Sequence, residues 1–98
     1  MSGQSSNLPP HLPNPPLPPK DVQIQYYALL REERGLSVET LSTEAATPRE
    51  LYDLLKLRHG FSLPAERLNV AVNDAFAEWE HPLRAGDSVV FIPPVAGG

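Results

Sequence analysis

Apolar and polar residues alternate over residues 22–26, where valine, isoleucine and tyrosine are separated by glutamines. A period of two predicts a β-strand that buries one face. Ala28 to Arg34 can form a short helical turn closed by Gly35. Leu36 then begins a second strand, which we expect to form a hairpin with the first.

The alternation returns over residues 68–72, which predicts a third strand. Asn73-Asp74 is a turn signal, because both side chains tolerate left-handed backbone and bond to it locally. Ala75 to Glu78 is predicted as a short strand after this turn, and residues 83–87 as a turn into the final strand.

One helix carries signals at both of its ends. Thr47 and Glu50 have the spacing of a capping box, and Pro48 stands at the first helical position. Gly60 is the predicted stop. The leucines that should cover one face of the sheet are Leu51, Leu54 and Leu55. A helix on one face of a mixed sheet is an α+β two-layer sandwich.

The segment from Ser88 to Ile92 is apolar on both of its faces. Such a strand is usually covered on both sides, which predicts a central position in the sheet. Pro93 and Pro94 end it, because neither can donate a backbone hydrogen bond. The residues after them are small or lack a side chain, so a thin, uncharged arm would carry its carboxylate at Gly98.

The 98 residues carry a net charge of −4 and no cysteine, which allows one small domain without disulfides or thiol chemistry. Met1 to Lys20 is rich in proline and is predicted to be a disordered tail. The domain then spans residues 21–92 and the arm residues 93–98. The scattered basic residues argue against nucleic acid. Without a long apolar run or a signal peptide, we expect a cytoplasmic protein with no membrane partner.

The side chains form no catalytic constellation in sequence. His11, His59 and His81 lack metal-ligand spacing and are expected on the surface. Trp79 is compatible with an interface anchor or with partial core packing. The remaining reactive group is the terminal carboxylate, which needs activation by ATP on a separate enzyme to become an acyl donor.

The segment from Pro82 to Gly98, with its Gly-Asp turn and its Pro-Pro…Gly-Gly ending, resembles the closing segment of the small subunits of molybdopterin synthase. Residues 22–28 and 71–73 resemble the same family, so the likeness covers about Asp21 to Gly98. These subunits are ubiquitin-like sulfur carriers. The resemblance therefore implies a β-grasp fold, with four to five strands and one main helix packed on one face.

The resemblance also implies a mechanism. An ATP-dependent activating enzyme would adenylate Gly98, sulfur would convert the carboxylate into a thiocarboxylate, and the large synthase subunit would take the sulfur for the molybdopterin dithiolene. This chain would bind no cofactor or metal and would not be an enzyme on its own, because the catalytic residues are expected in the large subunit. The residues expected to bind partners are Phe91, Pro93, Pro94, Val95, Ala96 and Gly97.

Three other functions remain open at this point. The first is a sulfur carrier of the same shape for thiamin or cysteine synthesis. Another is a ubiquitin-like modifier that is joined to lysines through Gly98. The third is an interaction domain whose proline-rich tail is the working part.

Overall fold

The computed structural model describes residues 18–94. Predictions that concern residues 1–17 and 95–98 lie outside the described residues. The elements, in chain order, are β1 (Lys20–Tyr26), α1 (Ala28–Arg34), β2 (Val38–Thr43), α2 (Pro48–His59), a 3₁₀ turn (Ala65–Arg67), β3 (Asn69–Val72), β4 (Ala75–Ala77) and β5 (Ser88–Ile92). Strand β1 thus begins at Lys20, the last residue of the predicted tail.

The five strands form one mixed sheet in the order β2-β1-β5-β3-β4. Strand β5 runs parallel to β1 and antiparallel to β3, so it has a partner on each side. The predicted central position of Ser88–Ile92 is therefore confirmed. Strands β1 and β2 pair antiparallel, as expected, with α1 in the connection between them.

Helix α2 covers one face of the sheet and forms the core with it. Val89 and Phe91 of β5 and Ile24 of β1 are completely buried beneath this helix. The helix contributes Leu51 and Leu55 as predicted, and also Tyr52. Leu54, which was expected in the core, is 46% exposed. The buried side of α2 contains Leu51, Tyr52 and Leu55, which lie one and four positions apart along the helix. Leu54 lies at the edge of this buried side and therefore faces solvent.

The ends of α2 follow the sequence signals. The Thr47 hydroxyl accepts a hydrogen bond from the Glu50 N–H at 3.2 Å, and Pro48 occupies the first turn. The Glu50 carboxylate reaches back to the Ala46 N–H at 3.0 Å, one residue before the N-cap. Gly60 ends the helix in the left-handed conformation, with φ of 70°. These contacts satisfy backbone donors that a helix start leaves unpaired.

The second face of the sheet has no helix over it among the described residues. Val90 and Ile92 point to this face and are only half-buried, so the expected cover on both sides of β5 is not found. Strand β2 also begins at Val38, two residues later than predicted, and continues to Thr43. We call the uncovered side the open face.

No helix within residues 18–94 is both long and apolar enough to cross a membrane.

Candidate functional site

The root of the arm is the end of the central strand. Strand β5 ends at Ile92, and Pro93 and Pro94 follow it outside the sheet. Pro93 is half-buried and Pro94 is exposed. The other expected site residues, Val95, Ala96, Gly97 and Gly98, lie outside the described residues, so their assignment stays a prediction.

Phe91 occupies a different place from the one expected of a partner-binding residue. Its side chain is 0% exposed and lies in the core beneath α2. The ring centroid is 5.1 Å from that of Tyr52 and 6.1 Å from that of Trp79. A side chain without exposed surface cannot contact a partner of the folded domain, so we reassign Phe91 to the core. Trp79 stacks on it and therefore packs on the core.

Strand β5 is also fixed where it begins, by hydrogen bonds to the turn between β3 and β4. The Asn73 side chain donates to Asp87 Oδ1 at 2.9 Å and accepts from the Ser88 N–H at 2.9 Å. The second Asp87 oxygen accepts from the Arg84 N–H at 2.8 Å. Asn73 adopts positive φ, 53°, which this residue type tolerates. Strand β5 is thus fixed at its start and paired on both sides up to Phe91, one residue before the strand ends at Ile92.

A row of mainly apolar side chains, interrupted by Gln25, crosses the open face. The strand register places one residue of each strand in a single row: Val38, Gln25, Val90, Ala71 and Phe76. Phe76 is 77% exposed and Val38 is 45% exposed. Ile92, two positions after Val90, extends the row towards the arm. A highly exposed aromatic side chain close to other partly exposed apolar side chains is typical of a protein interaction site.

Phe76 and Ile92 belong to no sequence motif that marks a functional residue. Alternation along β5 places Ile92 on the same face as Val90. Phe76 reaches that face through the pairing of β4 with β3. The tertiary packing, however, determines which face of the sheet α2 covers. The sequence of β5 does not reveal this face, because the strand is apolar on both sides.

A polar cluster ties the edge strand β2 to its neighbours. The Tyr26 hydroxyl donates to Glu39 Oε2 at 2.6 Å, and Arg34 binds both oxygens of Glu39, at 2.8 and 2.9 Å. The hydrogen bonds from Arg34, supported by that from Tyr26, lower the pKa of Glu39 although partial burial opposes this. Burial and the nearby Glu39 carboxylate raise the pKa of Tyr26.

Tyr52 and His59 are two further side chains with shifted pKa values. Burial, with Glu33 and Asp53 nearby, raises the pKa of Tyr52 to about 12, and its hydroxyl donates to the Leu63 carbonyl at 2.6 Å. His59 lies at the end of α2, where partial burial lowers its pKa, and His81 is exposed. No group of three His, Asp or Glu residues within 18–94 could hold a metal ion.

A mixed five-stranded sheet that embraces one main helix, with its first and last strands parallel at the centre, defines a ubiquitin-like β-grasp domain. Residues 24–98 match the model of the ThiS family. This match covers most of the chain and includes the arm, and the chain belongs to this family.

The relatives agree with this assignment. The chain is 30% identical over 80 residues to the molybdopterin synthase sulfur carrier subunit of Escherichia coli. This match covers 79% of this chain and 99% of the relative. A putative molybdopterin converting factor subunit 1 from Pyrococcus furiosus superposes with a TM-score of 0.66 at 30% identity, over 78% of this chain and 99% of that one.

Two further solved structures bear on the question of partners. One is a complex of subunits 1 and 2 of the molybdopterin-converting factor from Helicobacter pylori, with a TM-score of 0.56 and 25% identity over 80% of this chain and 99% of that one. The other is SAMP1, a small archaeal modifier protein from Haloferax volcanii. It has a TM-score of 0.65 and 25% identity, over 80% of this chain and 99% of that one.

Proposed function

We propose that this protein is the sulfur-carrier subunit of a molybdopterin synthase and carries the sulfur on the carboxylate of Gly98. An activating enzyme uses ATP to adenylate that carboxylate, and a sulfur donor displaces AMP to give the thiocarboxylate. The arm then delivers the sulfur to the dithiolene precursor in the larger subunit. The protein does this in the cytoplasm, without cofactor or metal of its own, and catalysis belongs to the partner.

The observation that carries this proposal is the position of β5. The arm leaves from the central strand of the sheet, which is paired on both sides and fixed at its start by Asn73 and Asp87. The six residues after Ile92 can span at most about 20 Å when extended. A rigid root with a short, thin arm suits a carboxylate that must enter the narrow active sites of two other proteins.

We propose the open face as the surface on which the larger subunit docks. The apolar row lies beside the root of the arm, because Val90 and Ile92 belong to the same strand as that root. Docking there would bury Phe76 and Ile92 and hold the arm at the partner's active site. The complex of subunits 1 and 2 from H. pylori supports a second subunit as the occupant.

The similarity to SAMP1 favours a second candidate, a modifier that becomes linked to lysines through Gly98. Both functions begin with the same adenylate, so activation alone does not separate them. The 30% identity to a curated sulfur carrier over nearly that protein's whole length favours the carrier.

The intact mass of the protein after incubation with the activating enzyme, ATP and a sulfur donor tests the proposal. We expect a product in which one oxygen is exchanged for sulfur. This product should return to the plain carboxylate when the larger subunit and the molybdopterin precursor are added. Lysine-linked adducts without any thiocarboxylate would refute the carrier function and leave the fold unaffected.

A further inference from the structure

The chain contains two lysines, Lys20 and Lys56, and both are half-buried and hydrogen-bonded. The Lys20 ammonium donates to the Ala45 carbonyl at 2.5 Å, and the Lys56 ammonium donates to the Phe61 carbonyl at 2.9 Å. The other six of the eight basic residues are arginines, and the chain has no cysteine. The chain is therefore poor in side chains that can attack an acyl group.

An activated carboxylate makes such nucleophiles important. If an amine reached the acyl adenylate of Gly98, its nitrogen would bond to the carbonyl carbon. The bond from that carbon to the AMP oxygen would then break, AMP would leave, and the amine would release a proton to water. The product would be two copies of the chain joined through a lysine, and the acylating copy could no longer accept sulfur.

We propose that Lys20 and Lys56 are held as poor acyl acceptors, so that the activated chain does not acylate a second copy of itself. This inference rests on the proposed function, because acceptor reactivity matters only when Gly98 is activated. If the protein acts as a modifier, the same property prevents it from building chains on its own lysines.

The carbonyl that holds Lys56 lies in a fixed segment. Phe61 is buried, and the Tyr52 hydroxyl donates to the Leu63 carbonyl two residues later. Between them, Ser62 donates its N–H and its hydroxyl to the Glu33 carboxylate, at 3.1 and 2.7 Å. Lys56 cannot move together with its acceptor, so it must break the hydrogen bond to reach an acyl carbon.

The acceptor of Lys20 is fixed in a similar way. Ala45 is buried, and its N–H donates to the Thr43 hydroxyl at 3.1 Å. Lys20 itself pairs with Thr43 in the sheet. Each lysine must break a hydrogen bond of a charged donor before it can attack. This should slow its acylation by about tenfold relative to a free surface lysine.

The exposed positive charges are placed on side chains that do not react as amines. Arg31, Arg58, Arg67 and Arg84 are exposed, and a guanidinium stays protonated in proteins. Arg58 stands two residues after Lys56 on α2, so the variant Arg58→Lys adds a free surface amine close to a held one.

The first experiment needs no activating enzyme. The Arg58→Lys variant is treated with a limiting amount of N-hydroxysuccinimidyl acetate, and acetylation of each lysine is followed by peptide mass mapping. In the folded protein we expect the new lysine to react about tenfold faster than Lys20 and Lys56. In urea the three rates should converge. Equal rates in the folded protein, or a difference that persists in urea, would overturn the inference.

The second experiment uses the activating enzyme and ATP without a sulfur donor, and pyrophosphate release reports adenylation separately. We expect lysine-linked dimers from Arg58→Lys, and few from the wild type or from the matched control Arg58→Gln. Wild-type dimers linked at Lys20 or Lys56 at the variant's rate would overturn the inference, as would pyrophosphate release without dimers in the variant. Absence of pyrophosphate release would count against the proposed function, and the acetylation result would then decide the inference.

Discussion

At the scale of single residues, the Glu39 carboxylate connects three elements of the domain. It lies on β2 and accepts hydrogen bonds from Tyr26 of β1 and from Arg34, the last residue of α1. Its side chain is only 15% exposed. A carboxylate with these partners contributes more than a surface ion pair, because water screens it less.

We expect Glu39→Gln to lower the free energy of unfolding by about 1–3 kcal/mol at pH 7, since the charged hydrogen bonds are lost. Glu66→Gln is the control, because Glu66 is 68% exposed in its pair with Arg49 and should change stability by less than about 1 kcal/mol. Urea unfolding measures both variants. Equal, small effects would show that the Glu39 contacts do not stabilise the fold.

The same substitution should change the response to acid. Because the pKa of Glu39 is lowered in the folded state, its contribution is present above the unfolded pKa, about 4.3, and is lost as the pH falls through the folded value. Wild type and Glu39→Gln should therefore converge in stability as the pH falls through the lowered pKa of Glu39 in the folded protein.

At the scale of elements, the two faces of β5 have different roles. Val89 and Phe91 hold the strand against α2, while Val90 and Ile92 lie on the open face. Strand β4 adds Phe76 to that face as its most exposed aromatic side chain.

We expect Phe76→Ser to weaken binding of the larger subunit by about tenfold or more, because truncation of an aromatic anchor removes buried contact area. The matched control is Leu57→Ser, since Leu57 is 86% exposed but lies on α2, away from the open face. Titration calorimetry gives both affinities, and thermal unfolding should show little change for either variant. Equal affinities for the two variants would exclude the open face as the docking surface.

Local sequence signals were sufficient to predict the elements whose ends are marked by capping residues or prolines. Helix α2 has an N-cap at Thr47 and a glycine stop at Gly60, and both act through neighbouring backbone groups. The end of β5 is likewise fixed by the two prolines. The central position of β5 was predicted from its apolar pattern, and the family from the resemblance of the closing segment and the first strand.

Properties that depend on distant partners could not be predicted in the same way. Phe91 and Ile92 are adjacent apolar residues of one strand, yet one is buried and the other faces outward because of where α2 packs. Leu54 was expected in the core but is exposed, and Tyr52, for which no prediction was made, is buried. The reason is related, since a helix with apolar residues on several sides has no single predictable buried stripe. The Glu39 cluster depends on the β1–β2 register, which the sequence does not state.

At the scale of the whole molecule, the fold and the arm should be separable. The domain core is formed by residues up to Phe91, and the arm begins only after Ile92. We expect deletion of Gly97 and Gly98 to leave the melting temperature almost unchanged and to abolish adenylation. Calorimetry and pyrophosphate release measure the two effects. A large drop in melting temperature would mean that the arm contributes to folding.

The pairing of β1 with β5 joins the two ends of the domain. Ile24 is the register partner of Val89, 65 positions further along the chain (89 − 24 = 65). A chain emerging from the ribosome therefore lacks the middle of its sheet until the last strand has left the exit tunnel, and contacts of such separation form slowly. Under the docking proposed above, we expect the larger subunit to bind only chains in which β5 has joined the sheet, because β5 supplies the middle of the open face.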